Sequence, residues 1–396
     1  MMMAPSHHLR IGAQLDLFHQ EDAAPGATYW HAAGAAIRLA LLENIRLLWL
    51  DTGYLEVATP LLSLLGSRHH EAEVARTSDE CLLAPMGDAQ LVVTRRPCQF
   101  HRQLFEHRTR SLQLLPLRYA ELASCHDRTA LADLCGLLRQ REYCADIGHI
   151  YCAVTQIDAE VEAFHEQCLA YLRALDLLGL QSQRVWAARP PPGLDRCAAL
   201  ERFDRVLRSL PADEEVGTSR GLACRMNYVA HDCAGMPWRL GCIKANCVPP
   251  PSGLAVLHRS IIGSVERCIA LLVERHRNAL PPWLAPIQVS VVGGDATAGQ
   301  RAYEASEHLR AVGLRARIDD AGTTHGACRG DGLGPAQAPF TLIVASGRSE
   351  RQADVSIVRN ASGHLGVFSL QHACRVLGRL CAGPGEVCRE GHGRLI

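Results

Sequence analysis

Residues 116–152, PLRYAELASCHDRTALADLCGLLRQREYCADIGHIYC, constrain the fold most. Leu117 to His126 alternate in hydrophobicity. A polar stretch follows around Asp127–Asp133, then a second run ending in the apolar block Ile147–Cys152. That order is strand, long hairpin loop, strand. The expected return strand carries Arg139 and Arg141, with Tyr143 two residues on. Guanidinium groups suit phosphate oxygens and an aromatic ring suits a base. From these residues alone, an amphipathic hairpin with exposed arginines is the competing account.

Composition bounds the rest. The 396 residues suffice for two or three domains, and the formal net charge is zero, so any nucleic-acid contact needs a local patch. Lys244 is the single lysine. Seventeen cysteines, no apolar leader and no run of about 20 apolar residues point to a cytoplasmic protein with reduced thiols. Cys–His clusters then read more readily as metal sites than as disulfides. Four cysteines at 224, 233, 242 and 247 lack a tight Cys-Xaa-Xaa-Cys pair and make a weak metal signal.

Along the chain, residues 1–10 read as a disordered start. A helix is expected from about Ala35 to Leu50, with Ile37, Leu41, Ile45 and Leu48 on one face, then a strand Tyr54–Thr59 stopped by Pro60. A helix near Ser67–Arg76 and a strand near Gln90–Thr94 follow. Residues 153–180 and Asp195–Ser209 read as amphipathic helices, the first with Thr155 as N-cap. Residues 286–396 alternate strands (Gln288–Val292, Arg315–Asp319, Phe340–Ala345, Asp354–Arg359) with helices (Ala302–Val312, Ser369–Leu380), an α/β unit.

The hairpin, "LPLRYAELASCH" and "LCGLLRQREYCADIGHIYC", resembles the second signature of class II aminoacyl-tRNA synthetases in its threonyl-tRNA synthetase version. The resemblance extends over nearly the whole chain: "GYLEVATPLL" to the first signature, "VLHRSIIGSVERCIALLVE" to the third, and "PPWLAPIQVSVV" to the junction with an anticodon-binding domain. It implies an α/β (α+β) protein with an antiparallel sheet flanked by helices over residues 1–284. An anticodon-binding-like domain would occupy 285–396. It also implies a truncated, divergent paralogue without the N-terminal editing region of full-length bacterial enzymes, and a homodimer through the helix–strand unit around 35–60.

The resemblance further implies a zinc site at Cys98, His149 and His258, which are 51 and 109 residues apart. One thiolate and two imidazoles leave a tetrahedral zinc with an open position, able to read an amino acid's amino and hydroxyl groups. Arg139 matches the arginine that holds the γ-phosphate of ATP, Arg267 the arginine of the third signature, and Tyr143 a phenylalanine that stacks on adenine. ATP with Mg2+, an amino acid, and tRNA or another acceptor are the implied partners.

The departures are equally specific. Asp127 stands at the arginine for the α-phosphate and carboxylate, and Thr129 at a glutamate for adenine. Arg128, one residue off, would face the other side of a regular strand. Ile147 and Ala145 replace an aspartate and a glutamine, and Arg239 and Lys244 replace glutamines. Residues Gly322–Ala338 depart strongly from the family. Two functions are therefore expected: ATP-dependent activation of threonine or a related amino acid, or a catalytically impaired paralogue that binds zinc and ligand in a regulatory role.

Overall fold

A computed structural model describes residues 7–64, 82–93, 95–107, 112–187, 198–218, 224–245, 253–277, 279–294, 298–319, 338–344 and 354–385. The expected helix at 67–76, Cys247 and nearly all of Gly322–Ala338 lie outside them. The chain divides into two units: residues 1–19, 29–44 and 276–396, and residues 20–28 and 45–275.

The second unit is built on an eight-stranded sheet. Its order is Glu214–Thr218, Gln181–Ala187, Arg225–His231, Pro237–Ala245, Leu254–Ser260, Glu142–Ala153, Leu117–His126, Leu55–Glu56. Only the outermost pair at each end is parallel. The hairpin at its heart pairs without a slip from Leu117↔Tyr151 to His126↔Glu142. Arg139 and Arg141 precede the return strand rather than filling it, because that strand begins at Glu142. The linking loop is fastened instead: the Arg141 and Glu142 amides donate to Gly26 O at 2.9 and 3.2 Å. The Arg141 guanidinium donates to Thr129 O at 2.8 Å, so its role is structural.

Helix Ile157–Ala174 buries Ile157, Val161, Phe164, Cys168, Tyr171 and Leu172, the apolar stripe of its sequence. It starts later than expected, after a 3-10 turn at Val154–Gln156, and Thr155 is not its cap. The Gln156 side chain fills that turn instead, accepting from the Ala153 amide at 2.9 Å. A bidentate pair from Arg118 to Glu160, at 2.8 and 2.6 Å, ties the helix to the hairpin.

Strand alternation sends the hairpin's even-numbered residues to one face of the sheet and odd-numbered ones to the other. On the even face of the return strand, Asp146 forms a fully buried ion pair with Arg259. The Arg259 guanidinium also lies 4.1 Å from the Tyr54 ring centre and 5.4 Å from that of Trp49. Gly148 makes room for it, since a Cβ there would meet the guanidinium at 2.5 Å.

The first unit carries a five-stranded sheet ordered Ala316–Asp319, Val289–Gly293, Phe340–Val344, Asp354–Arg359, Gly363–Ser369. The first three are parallel and the last two antiparallel. Helices Gly299–Ala311 and Leu370–Leu380 supply Ala302, Ala305, Leu309, Ala373 and Leu377 to a core with Val291, Phe340 and Leu342. Strand Gly363–Ser369 went unread, because Gly363 and Gly366, both at positive φ, interrupt its alternation. Helix His7–Gln14 corrects the expected disordered start: His8 and Ile11 are buried. The expected helix 35–50 spans Ala32–Asp51. No described helix is long and apolar enough to cross a membrane.

Candidate active site

The odd-numbered face of the central hairpin carries the site. Three neighbouring strands bring His149, Tyr119 and His258 into line, because His149 pairs across with Tyr119 on one side and His258 on the other. Helix Cys98–Glu106 lies over this face, held by Phe105 stacked on Tyr151 at 4.1 Å. The result gathers Cys98, His149 and His258, with one potential ligand atom from each inside a 4.8 Å set. No other cluster of three such ligand atoms occurs among the described residues.

The donor spacing fits a tetrahedral ion. Zn–N near 2.05 Å and Zn–S near 2.3 Å require N···N of about 3.3 Å and N···S of about 3.6 Å. His149 Nε2 to His258 Nδ1 is 3.3 Å, and Cys98 Sγ to His258 Nδ1 is 3.7 Å. Burial, followed by His101 for His149 and by His149 for His258, holds both imidazoles well below their ordinary value. They are therefore neutral, as ligands must be.

A relay behind His149 sets its tautomer. Glu121 accepts from Thr59 N and Thr59 Oγ1, each at 2.8 Å, and from His101 Nε2 at 2.9 Å. Burial opposes its ionisation, but these bonds prevail and keep the carboxyl below the usual range. With a proton on Nε2, His101 Nδ1 accepts from His149 Nδ1 at 2.9 Å. His149 Nε2 is left with its lone pair toward the cluster. The link of His101 to Glu121, 20 residues on, follows from the fold.

A cleft of about 220 Å3, open to solvent, lies beside this cluster. His258 lines one part of it, and Arg139, Tyr143 and Arg267 line it as well. So one residue expected to bind metal, His258, and the three expected to bind nucleotide face one space. Trp238 is close to both arginines, with Arg139 Cζ 5.8 Å and Arg267 Cζ 5.6 Å from its ring centre. Arg267 is fixed by donating to Leu138 O at 2.8 Å and Arg239 O at 2.9 Å. Burial, then the charges of Arg239, Arg139 and Arg96, pulls its guanidinium down to about 10.

Asp127 also lines the cleft, yet it is not a bare negative charge. Arg95 Nε lies 2.6 Å from one oxygen, and the Tyr143 hydroxyl donates to the other at 2.8 Å. Burial disfavours its charge, but these two bonds and Arg96 outweigh that, so it stays ionised. Arg128 is exposed and does not line the cleft; it lies in the loop, two residues beyond the last strand residue, His126. Arg95 and Arg96 were not singled out in the sequence; the pair RR just before Cys98 was the available signal. Of the four cysteines 224–247, Cys224 and Cys242 are buried, Cys233 is exposed and Cys247 lies outside the described residues.

Comparison with known proteins follows the same lines. Residues 84–196 match the tRNA synthetase class II core domain (G, H, P, S and T). A threonine–tRNA ligase of Stenotrophomonas maltophilia is 29% identical over 391 residues, covering 92% of this chain and 60% of that protein. The chain thus spans about 60% of the length of the curated relatives it matches. The structure of the RNA binding domain of threonyl-tRNA synthetase from Cryptosporidium parvum superposes with a TM-score of 0.82 at 20% identity, covering 94% of this chain and 98% of that one. Giardia lamblia prolyl-tRNA synthetase, in complex with prolyl-adenylate, gives a TM-score of 0.64 at 15% identity over 94% of this chain and 79% of that one.

Proposed function

We propose that the chain activates an amino acid with ATP, a reading supported by its match to the class II tRNA synthetase core over residues 84–196 and its similarity to threonine–tRNA ligases along 92% of its length. The carrying observation is that His258 of the Cys98–His149–His258 cluster and the arginines Arg139 and Arg267 line one cleft. In the reaction, the amino-acid carboxylate attacks the α-phosphate and magnesium pyrophosphate leaves. Two anions must meet, so fixed cations do most of the work. Arg139 and Arg267 meet the phosphates, and the Tyr143 ring flanks the base. The backbone carbonyls holding Arg267 fix its direction before substrate arrives, so no reorganisation is needed at reaction.

Cys98, His149 and His258 would hold Zn2+, which when bound supplies a Lewis-acidic contact for the substrate's amino and side-chain groups. Ile147 and Ala145 give the pocket an apolar wall there, so the substrate is threonine or a related amino acid of altered side chain. Residues 1–284 and 285–396 are the proposed catalytic and anticodon-binding-like domains. A homodimer through 35–60, and tRNA or another nucleophile as acceptor, complete the proposal.

The second reading is a ligand-binding paralogue without adenylation. Asp127, a carboxylate in the cleft, is the observation that favours it. ATP–pyrophosphate exchange by the zinc-loaded protein decides between them. The panel is threonine, serine, valine and hydroxy- and diamino acids, with an active synthetase as control. Exchange with one member is expected; no exchange with any, zinc bound, leaves the binding reading.

A further inference from the structure

We propose that the substrate amino acid carries an anionic side chain, a carboxylate or a phosphate, which Lys244 and Arg225 hold beside the metal cluster. This rests on the ATP reading above. Strand register places both residues. Lys244 pairs directly across with His258 of the cluster, and Arg225 pairs across with Lys244. The row they belong to runs Val185, Arg225, Lys244, His258, His149, Tyr119. Directly opposed residues share a face of the sheet, with Cβ atoms about 5 Å apart. Leu240 and Cys242, at the alternate positions before Lys244, line the cleft, so Lys244 stands on the cleft's face.

Two cations directly opposite each other destabilise a sheet. No carboxylate stands in that row to offset them. Arg225 Nε is buried without a hydrogen-bond partner among the described residues. The same is true of Asn227 Oδ1. Asn227 is only 7% exposed and pairs across with Cys242, so it faces the same recess. Buried charged and polar groups require partners, and a ligand from outside the chain supplies them. An ammonium, a guanidinium and an amide together suit a carboxylate or a phosphate. Lys244 is also the chain's single lysine, a compact charge where every other basic residue is arginine or histidine. Neither Lys244 nor Arg225 lines the space that holds Arg139 and Arg267. The anion they take is therefore distinct from the triphosphate and from the carboxylate that attacks it.

Equilibrium binding to the zinc-loaded full chain tests this with three pairs: aspartate and asparagine, glutamate and glutamine, O-phosphothreonine and threonine. Within each pair the main difference is side-chain charge. At least one anionic member is expected to bind about tenfold or more tighter than its neutral partner, as charge-assisted hydrogen bonds give. The pair that shows the gap tells carboxylate from phosphate. In Lys244→Gln the gap is expected to close to about twofold or less, while zinc content and the neutral member's affinity hold. Arg225→Gln, two strands from His258, is expected to narrow it too, and replaces Lys244→Gln if that variant loses metal. Neutral members that bind as tightly as their anionic partners overturn the proposal, as does a gap untouched by loss of either charge. ATP–pyrophosphate exchange with the same six amino acids separates the two readings. Exchange confined to neutral amino acids overturns the anionic side chain and keeps ATP activation. An anionic amino acid that binds preferentially without exchange keeps the Lys244–Arg225 site and removes ATP activation.

Discussion

Single residues in this chain are legible in proportion to how local their partners are. Cys98, His149 and His258 could be picked out because a family pattern marks them, and the fold brings their ligand atoms together although the outer two are 160 residues apart. Asp127 read as a repulsive carboxylate facing anions, and that was incomplete. Its neutralising partner Arg95 sits 32 residues earlier, beyond any helical or strand periodicity. The Asp146–Arg259 pair, 113 residues apart, was likewise invisible. Its test belongs at this scale. Asp146→Asn strands a fully buried guanidinium, so unfolding free energy should fall by about 3–5 kcal/mol. Chemical denaturation measures it, and Asp176→Asn, at an exposed pair with Arg275, should cost about 1 kcal/mol or less.

At the scale of elements, periodicity carried most of the fold. The hairpin, the helix over Ala32–Asp51 and the strand–helix alternation of residues 289–380 follow from alternating or 3.6-residue patterns. Parallel strands Gln181–Ala187 and Glu214–Thr218 did not, because neither QSQRVWA nor EEVGT alternates cleanly. Helix Cys98–Glu106 supplies Cys98, but its anchoring could not be read from the sequence. Phe105 on Tyr151 sets how the helix lies, and therefore where Cys98 points. Phe105→Ala touches no ligand atom, yet should lower zinc affinity by about tenfold or more, as supporting residues of metal sites do. Competition with a chelator of known affinity gives the number, with Cys98→Ser as the reference for direct loss of a ligand.

For the whole molecule, the cluster closes long stretches of chain, with ligands from a helix and two strands of one sheet. Binding to the folded state alone must raise stability by mass action, about 2.7 kcal/mol when free zinc is a hundred times its dissociation constant. The midpoint of thermal unfolding should therefore climb with free zinc, and lose that dependence in His149→Ala. A midpoint indifferent to zinc in the wild type would remove the metal from the account. Trp238 carries a different consequence. An indole within 6 Å of both Arg139 Cζ and Arg267 Cζ sits in the field of both charges, and its emission colour follows that field. Whatever anion settles on those guanidinium groups retunes the light that this one ring gives back, so the cleft has an optical gauge of its own occupancy, with no label added.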